Sequence, residues 1–434
     1  MRTELFPDLG RAATRRALIL GGVGAATLIA TPGNAEPQRS VRSETPWTGT
    51  WTTAPTAAAP GLSPIAADTT VRQVVHLSLG GDQPRIRLTN EYGTEAVHLG
   101  EVWTGVRAGG PNSSAMWPAT IRPVTFGGAA EVVLKGGESR VSDPIPNLSI
   151  APGDDLVISF HLPERTLTGT LSPRSFQINH LLAGNFAAAP FPAGGANLTR
   201  YVLLGGVSVR TAGPSSAVVA FGDSITCGTK TTVSANQRWP DLLAARIRAG
   251  GLPRGVLNAG IGGNQLLTGA EIPVPAGGGA GGQSAAEAAS VGNGPAGLRR
   301  FDHDVLAQPG VAYVITLIGV NDIGHGAGAD ALIAGHRELI ARGRAAGLRV
   351  YGGTLLPFAG SLYDRGHQRG VRTTLNRWIR EGGEFDAVVD FDAAVRDGTN
   401  PERLWAGFDG GDHLHLNDTG MLALASAVPL ELLR

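Results

Sequence analysis

The stretch "AVVAFGDSITCGTKTT", residues 217–232, decides how the second half of the chain is read. Its apolar, largely β-branched start has the character of a buried strand. The run stops at Gly222, and small, hydroxylic and basic residues follow. A loop of that kind either cradles a phosphate beside Lys230 or presents Ser224 as a nucleophile. A phosphate loop requires a glycine, four residues, and then Gly-Lys-Ser/Thr. Here five residues separate Gly222 from Gly228, and Thr229 precedes Lys230, so the phosphate reading fails on spacing and leaves Lys230 as a solvated loop residue. The serine reading is not secured locally. No serine in the chain has glycine both two positions before and two after it, which excludes the usual nucleophile elbow of α/β-hydrolases. A serine after a strand most often caps a helix, and that alternative stays open for Ser224.

Downstream of this stretch, apolar strands alternate with helical segments. "GVLNAG", "VAYVITLIG", "LRVYGGTLL" and "AVVDF" read as strands, while "RWPDLLAARIRA", "DALIAGHRELIARGRAAG", "RTTLNRWIREG" and "TGMLALASAVPLELL" read as helices. Continuous apolar strands with helical crossovers predict a parallel sheet covered on both faces, an α/β fold. Ligands of such sheets bind beyond the carboxyl ends of the strands, where Gly222, Asn258 and Asn321 fall. Residues 275–297 are rich in Gly and Ala and read as a flexible surface loop bordering that end.

Upstream the period changes to two. From about 41 to 210, short alternating runs and turn signals recur with no long helical pattern, which predicts an all-β sandwich. "VVHLSLGGDQPRIRLTN" reads as a hairpin about a Gly-Gly-Asp turn, with Val75, Leu77 and Leu79 facing Ile86 and Leu88. "TAGPSS", residues 211–216, reads as the linker between the halves. Trp103, Trp117 and Tyr92 are candidate glycan-binding aromatics of the sandwich, with core packing as the competing role for each.

At the N-terminus, Arg15 and Arg16 precede an apolar run from Ala17 to Ala30 that is shorter than the ~20 residues a spanning helix needs. Gly33 and Ala35 then offer small residues before a cleavage point. Residues 1–35 therefore read as an export signal of the twin-arginine kind, with a general secretory signal as the alternative, and predict a secreted or periplasmic protein. Charge is balanced at 36 basic and 36 acidic residues, which gives no footing for nucleic acid. The single cysteine, Cys227, rules out an intramolecular disulfide and a multi-cysteine metal site, and reads as a packed, inert thiol.

A serine nucleophile needs a base. "FDGGDHLHLND", residues 408–418, holds His413 and His415 among Asp409, Asp412 and Asp418. Five such side chains could hold a metal, with Asp223 or Asp322 completing the set. Alternatively Asp412 orients His415, three residues on, and leaves its second ring nitrogen free for a serine. Asn417 or Asp418 also suits the N-cap of the last helix. Donors for an oxyanion are available in the Gly-rich turn "NAGIGGNQLL" and in the side-chain amide of Asn321 in "IGVNDIG".

Taken in order, Gly222-Asp223-Ser224, Asn258-x-Gly260-x-x-Gly263, Gly319-x-Asn321-Asp322 and Asp412-x-x-His415 resemble the SGNH hydrolases, also called the GDSL esterase/lipase family. The resemblance covers roughly 215–434. It implies a three-layer, parallel-sheet hydrolase domain over 213–434, and the period-two half before it reads as a jelly-roll-like β-sandwich domain over 36–212. It further implies Ser224 as nucleophile, His415 as base, Asp412 as its orienter, and the N–H groups of Ser224 and Gly263 with the Asn321 amide as the oxyanion hole. No metal and no cofactor is implied. The expected activity is that of a serine esterase, acting on short acyl groups such as acetyl on carbohydrate. A lipase or lysophospholipase is the alternative, and a glycan-binding module or a metal-dependent hydrolase the alternative of another class.

Overall fold

The computed structural model describes residues 47–269 and 293–434. The expected export signal, and residues 275–292 of the expected surface loop, lie outside the described residues.

Residues 47–210 are built of antiparallel strands. One sheet runs Trp47–Thr52, Leu204–Arg210, Gly81–Thr89, Ser139–Val141, with Ser149–Ile150 also on Gly81–Thr89. A larger sheet runs Ala196–Leu198, Asn179–Ala183, Thr69–His76, Asp155–Leu162, Val102–Ala108, Ala115–Met116. The expected hairpin over 75–88 does not form, because Thr69–His76 and Gly81–Thr89 belong to different sheets. The chain changes sheet at Gly80 and Gly81. A Cβ on Gly80 would lie 2.6 Å from the Ile150 carbonyl oxygen, and one on Gly81 2.3 Å from that of Arg210. Val75, Leu77, Ile86 and Leu88 share one hydrophobic core, so alternation marked the buried face correctly while the strands joined different partners.

From Ser216 onward the strands are parallel. Their spatial order is Arg254–Gly260, Ser216–Gly222, Val311–Leu317, Arg349–Gly353, Ala387–Val389. The first strand of this sheet thus lies between the second and the third, and the chain order reverses at the carboxyl end of Ser216–Gly222. Helix Trp239–Ala249 packs with Asp418–Ala427, and helix Ala329–Ala345 with His367–Glu381. The strand interiors Val218–Phe221 and Val314–Leu317 sit in a second core that reaches Leu433.

The join between the halves is tight. Gly49 N–H donates to the Pro309 carbonyl at 2.8 Å, Val256 N–H to Ser78 Oγ at 2.8 Å, and Thr48 Oγ1 pairs with Ser215 Oγ at 2.7 Å. A Cβ on Gly255 would stand 2.0 Å from the Gly49 carbonyl oxygen. The stretch expected as a linker is itself pinned, with Thr211 Oγ1 bonded to Ser215 Oγ at 2.9 Å.

Candidate active site

Ser224 opens a four-residue helix, Ser224–Cys227, directly beyond the strand at which the sheet order reverses. The turn is tight. A Cβ on Gly222 would lie 2.2 Å from Thr226 Oγ1 and 2.6 Å from the Leu317 carbonyl oxygen, so only glycine fits. The helix cap is Asp223, whose Oδ1 accepts the Ile225 N–H at 3.0 Å. The capping role considered for Ser224 thus falls to its neighbour, and the Ser224 hydroxyl is free for another partner.

That partner is His415. Ser224 Oγ lies 2.8 Å from His415 Nε2, and His415 Nδ1 lies 2.8 Å from Asp412 Oδ2. Asp412 Oδ1 accepts the backbone N–H groups of Leu414 and His415, at 3.1 and 2.8 Å. Burial opposes the Asp412 charge, but the His415 contact and these two N–H groups outweigh it and hold the carboxyl well below the usual carboxylate range. An ionised Asp412 accepts from Nδ1–H and so leaves Nε2 as the acceptor that faces Ser224.

The other members of the 409–418 cluster go elsewhere. His413 is half exposed, pairs with Asp409, and has φ +60°. Asp418 accepts from Thr232 N and Oγ1, and Asn417 caps the last helix through the Gly420 N–H. The cluster therefore divides into separate pairs, and among the described residues no group of three or more His, Cys, Asp or Glu side chains converges on one point. Lys230 corrects its expected role as a solvated residue. Its Nζ lies 3.8 Å from Asp412 Oδ2, and its stem meets the Gly410 backbone.

The Gly-rich turn lies against the nucleophile turn, with Ile261 N–H donating to the Gly222 carbonyl at 3.2 Å. Gly263 has φ +75°, and a Cβ there would meet Asn293 Oδ1 at 2.5 Å. Among the described residues no acceptor takes the Gly263 N–H. Asn321 is buried behind the third parallel strand, at the start of Val320–Gly324. Its Nδ2 donates to the Asn264 carbonyl at 2.8 Å, and its Oδ1 accepts from Tyr363 Oη at 2.9 Å. These two bonds fix which end of the amide is which and leave one N–H for a ligand. Tyr363→Phe removes the hydroxyl and leaves the amide held by the Asn264 bond alone. It is expected to lower kcat by about tenfold, the worth of one hydrogen bond, with KM nearly unchanged. Steady-state kinetics on a nitrophenyl ester checks this.

Sequence reasoning missed the supports of this turn. Asp322, weighed as a metal ligand, instead accepts the Leu266 and Leu267 N–H groups at 2.7 and 2.9 Å and so clamps the Gly-rich turn. Arg300 is buried and donates to the Gly222 and Ala259 carbonyls at 2.8 Å each and to Asn264 Oδ1 at 2.9 Å. Arg174, from the β-rich half, sets a guanidinium nitrogen 2.3 Å from where a Gly262 Cβ would be. Burial pushes Asp223 up to about 7; the Ile225 N–H opposes this, and the nearby Asp322 charge adds to it. Cys227 is buried, with Sγ 3.6 Å from the Arg174 carbonyl oxygen, and burial pushes its thiol up, so it is an inert packed cysteine. Asn258 also serves the scaffold, holding the Thr226 carbonyl at 2.8 Å.

Residues 220–423 match the model of the GDSL-like lipase/acylhydrolase family. This segment of the chain belongs to that family. The protein is accordingly a serine ester hydrolase. Similar solved structures include a carbohydrate acetylesterase family member from Sinorhizobium meliloti (16% identity, 50% of this chain and 96% of that one, TM-score 0.36). Others are a lipase/acylhydrolase from Enterococcus faecalis (19%, 49% and 92%, TM-score 0.35) and an aryl esterase from M. smegmatis (15%, 49% and 95%, TM-score 0.35). No curated protein sequence matches the chain.

Proposed function

We propose that the protein is an exported serine esterase that removes short acyl groups, such as acetyl, from carbohydrate, with Ser224 as nucleophile, His415 as base and Asp412 as its orienter. The observation that carries the catalytic part is the unbroken row from Ser224 Oγ through His415 to Asp412, with 2.8 Å at each step. Ser224 Oγ attacks the ester carbonyl carbon as its proton passes to His415 Nε2. The carbonyl oxygen becomes an oxyanion, held by the N–H groups of Ser224 and Gly263 and the free N–H of Asn321. The C–O bond to the alcohol breaks, His415 returns the proton to the leaving oxygen, and the acyl group stays on Ser224. Water, deprotonated by His415, attacks the acyl carbon; the acid leaves, and the proton returns to Ser224.

The preference for a small acyl group on a polar alcohol rests on the polar side chains beside the row. Lys230 and the Asp409–His413 pair flank Asp412 and His415. Leu362 and Trp405, exposed on neighbouring loops, support lipid esters as the second reading. Nitrophenyl esters from acetate upward, acetylated xylan and a lysophospholipid, tested together, separate the two. Activity that falls steeply beyond acetate and releases acetate from xylan is expected; activity that rises with chain length would reverse the choice. A serine-directed phosphonate is expected to abolish activity and a chelator to leave it unchanged. The opposite pair of results would move the reading to metal-dependent hydrolysis. Arg15 and Arg16 carry the export proposal. Replacing both by lysine is expected to keep the protein in the cytoplasm, as checked by fractionation.

A further inference from the structure

The β-rich half touches the catalytic scaffold through a continuous polar chain. Glu91 lies in the loop after strand Gly81–Thr89, and that loop is firmly held. Tyr92 N–H donates to Thr170 Oγ1 at 2.8 Å, and Asn90 Nδ2 to the Glu95 and Leu134 carbonyls at 2.8 and 3.2 Å. A Cβ on Gly169 would strike Gly93 Cα at 2.6 Å, so the loop has little room to move. Glu91 Oε2 meets His303 Nε2 at 2.8 Å, and His303 Nδ1 meets Asp304 Oδ1 at 2.7 Å. The other oxygen of Asp304 takes Arg300 Nη1 at 2.8 Å. Arg300 then holds the Gly222 carbonyl, two residues before Ser224, and Asn264 Oδ1. The Asn264 carbonyl in turn accepts from Asn321 Nδ2.

We propose that Glu91 and His303 are positioning residues, through which the β-rich half holds Arg300, Asn264 and Asn321, and with them the oxyanion side of the catalytic centre. The proposal rests on Asn321 being an oxyanion donor, as set out above. Physically, the His303 imidazole bridges two carboxylates, Glu91 from one half and Asp304 from the other. With both ring nitrogens donating, it fixes the Asp304 carboxylate, and that carboxylate fixes the buried guanidinium. Without the link, Asp304 is held by Arg300 alone, and the pair can shift together, so the tilt of the guanidinium is less tightly set. Arg87, Arg299 and Arg300 carry the remaining charge around the cluster, and the Tyr92 phenol beside them is neutral. The bonds to Asp304 and Glu91 raise the His303 imidazole to about 9 against its burial, so the link stands through neutral pH. Its folded-state value is raised, so its contribution is fully present below about 6.5 and is lost as pH rises through about 9.

Tyr92, considered from sequence as a glycan platform, faces this cluster instead, and burial pushes its phenol up. Trp103 donates from its indole to Glu101, and only Trp117 of the three candidates is largely exposed.

The test is kinetic and uses the full chain with nitrophenyl acetate, with active sites counted by phosphonate titration. Glu91→Gln keeps the side-chain shape but removes the charge. It is expected to lower kcat per titrated site by about fivefold with KM unchanged, and to move the alkaline fall of kcat to lower pH. His303→Gln is expected to remove that fall. The double variant is expected to lose no more than the worse single one, since both break one link. Unchanged kcat per titrated site, or losses that multiply in the double variant, would overturn the proposal. If Glu91→Gln does not fold, the wild-type profile decides alone, because kcat that stays level through pH 10 while the protein remains folded also overturns it. A wild type that the phosphonate neither labels nor inhibits fails on the esterase reading instead, which keeps the two failures apart.

Discussion

Ser224→Ala is expected to lower kcat by on the order of 10⁵ to 10⁶ while the protein stays folded, the scale seen when a nucleophile acting as one unit with its base is removed. The size follows from what remains. An alanine leaves His415, Asp412 and the oxyanion donors in place, so only catalysis of direct water attack survives. The folding side of the prediction follows from the local structure. Among the described residues, the Ser224 side chain is bonded only to His415 Nε2, while the helix cap belongs to Asp223. The hydroxyl therefore contributes chemistry and little stability, and alanine is the best helix former for the position. A thermal melt within a few degrees of wild type, no phosphonate labelling, and no burst of nitrophenol are the expected results. Turnover near the wild-type level in this variant would remove Ser224 from the mechanism and, with it, the proposed acyl-enzyme.

The roles that can be read from the sequence are those carried by residues close together along the chain. Asp412 and His415 are three apart, and the backbone N–H groups that fix Asp412 belong to Leu414 and His415 themselves. Gly222-Asp223-Ser224 likewise contains its own turn, cap and hydroxyl. The supports are different. Tyr363 reaches Asn321 across 42 residues, Arg300 reaches Gly222 across 78, and Glu91 reaches His303 from the other half of the chain. No spacing rule links such positions, because the parallel sheet and the packing of the halves bring them together. The same limit explains the lost hairpin. Period-two alternation shows that Val75 and Ile86 face a core, but it does not say which strand each will pair with. Asp322 shows a third kind of failure. A carboxylate at a strand end suits a metal, and only the placement of Leu266 and Leu267 N–H groups against it shows that its oxygens are already taken.

Asp412→Asn is expected to lower kcat by about 10⁴ with the site geometry preserved, the cost of holding a catalytic histidine in the wrong tautomer. The backbone decides how the new amide would sit. Leu414 and His415 N–H groups both point at one oxygen of residue 412, so the amide oxygen must stay there. The NH₂ group then faces His415 Nδ1, which becomes an acceptor, and the ring proton moves to Nε2. A protonated Nε2 cannot take the Ser224 proton. In the wild type this does not arise, because the Asp412 carboxyl is held below the usual carboxylate range and is charged at every working pH. A depressed value means that its contribution to stability is present above about 3.9 and is lost as pH falls through the native value, so acid and not alkali should weaken the native site. Asp409→Asn serves as the internal comparison. It breaks the neighbouring pair with His413, whose ring is half exposed and does not meet Ser224, and is expected to change kcat by less than about threefold. The reverse ranking, with Asp409→Asn crippled and Asp412→Asn active, would transfer the base from His415 to His413.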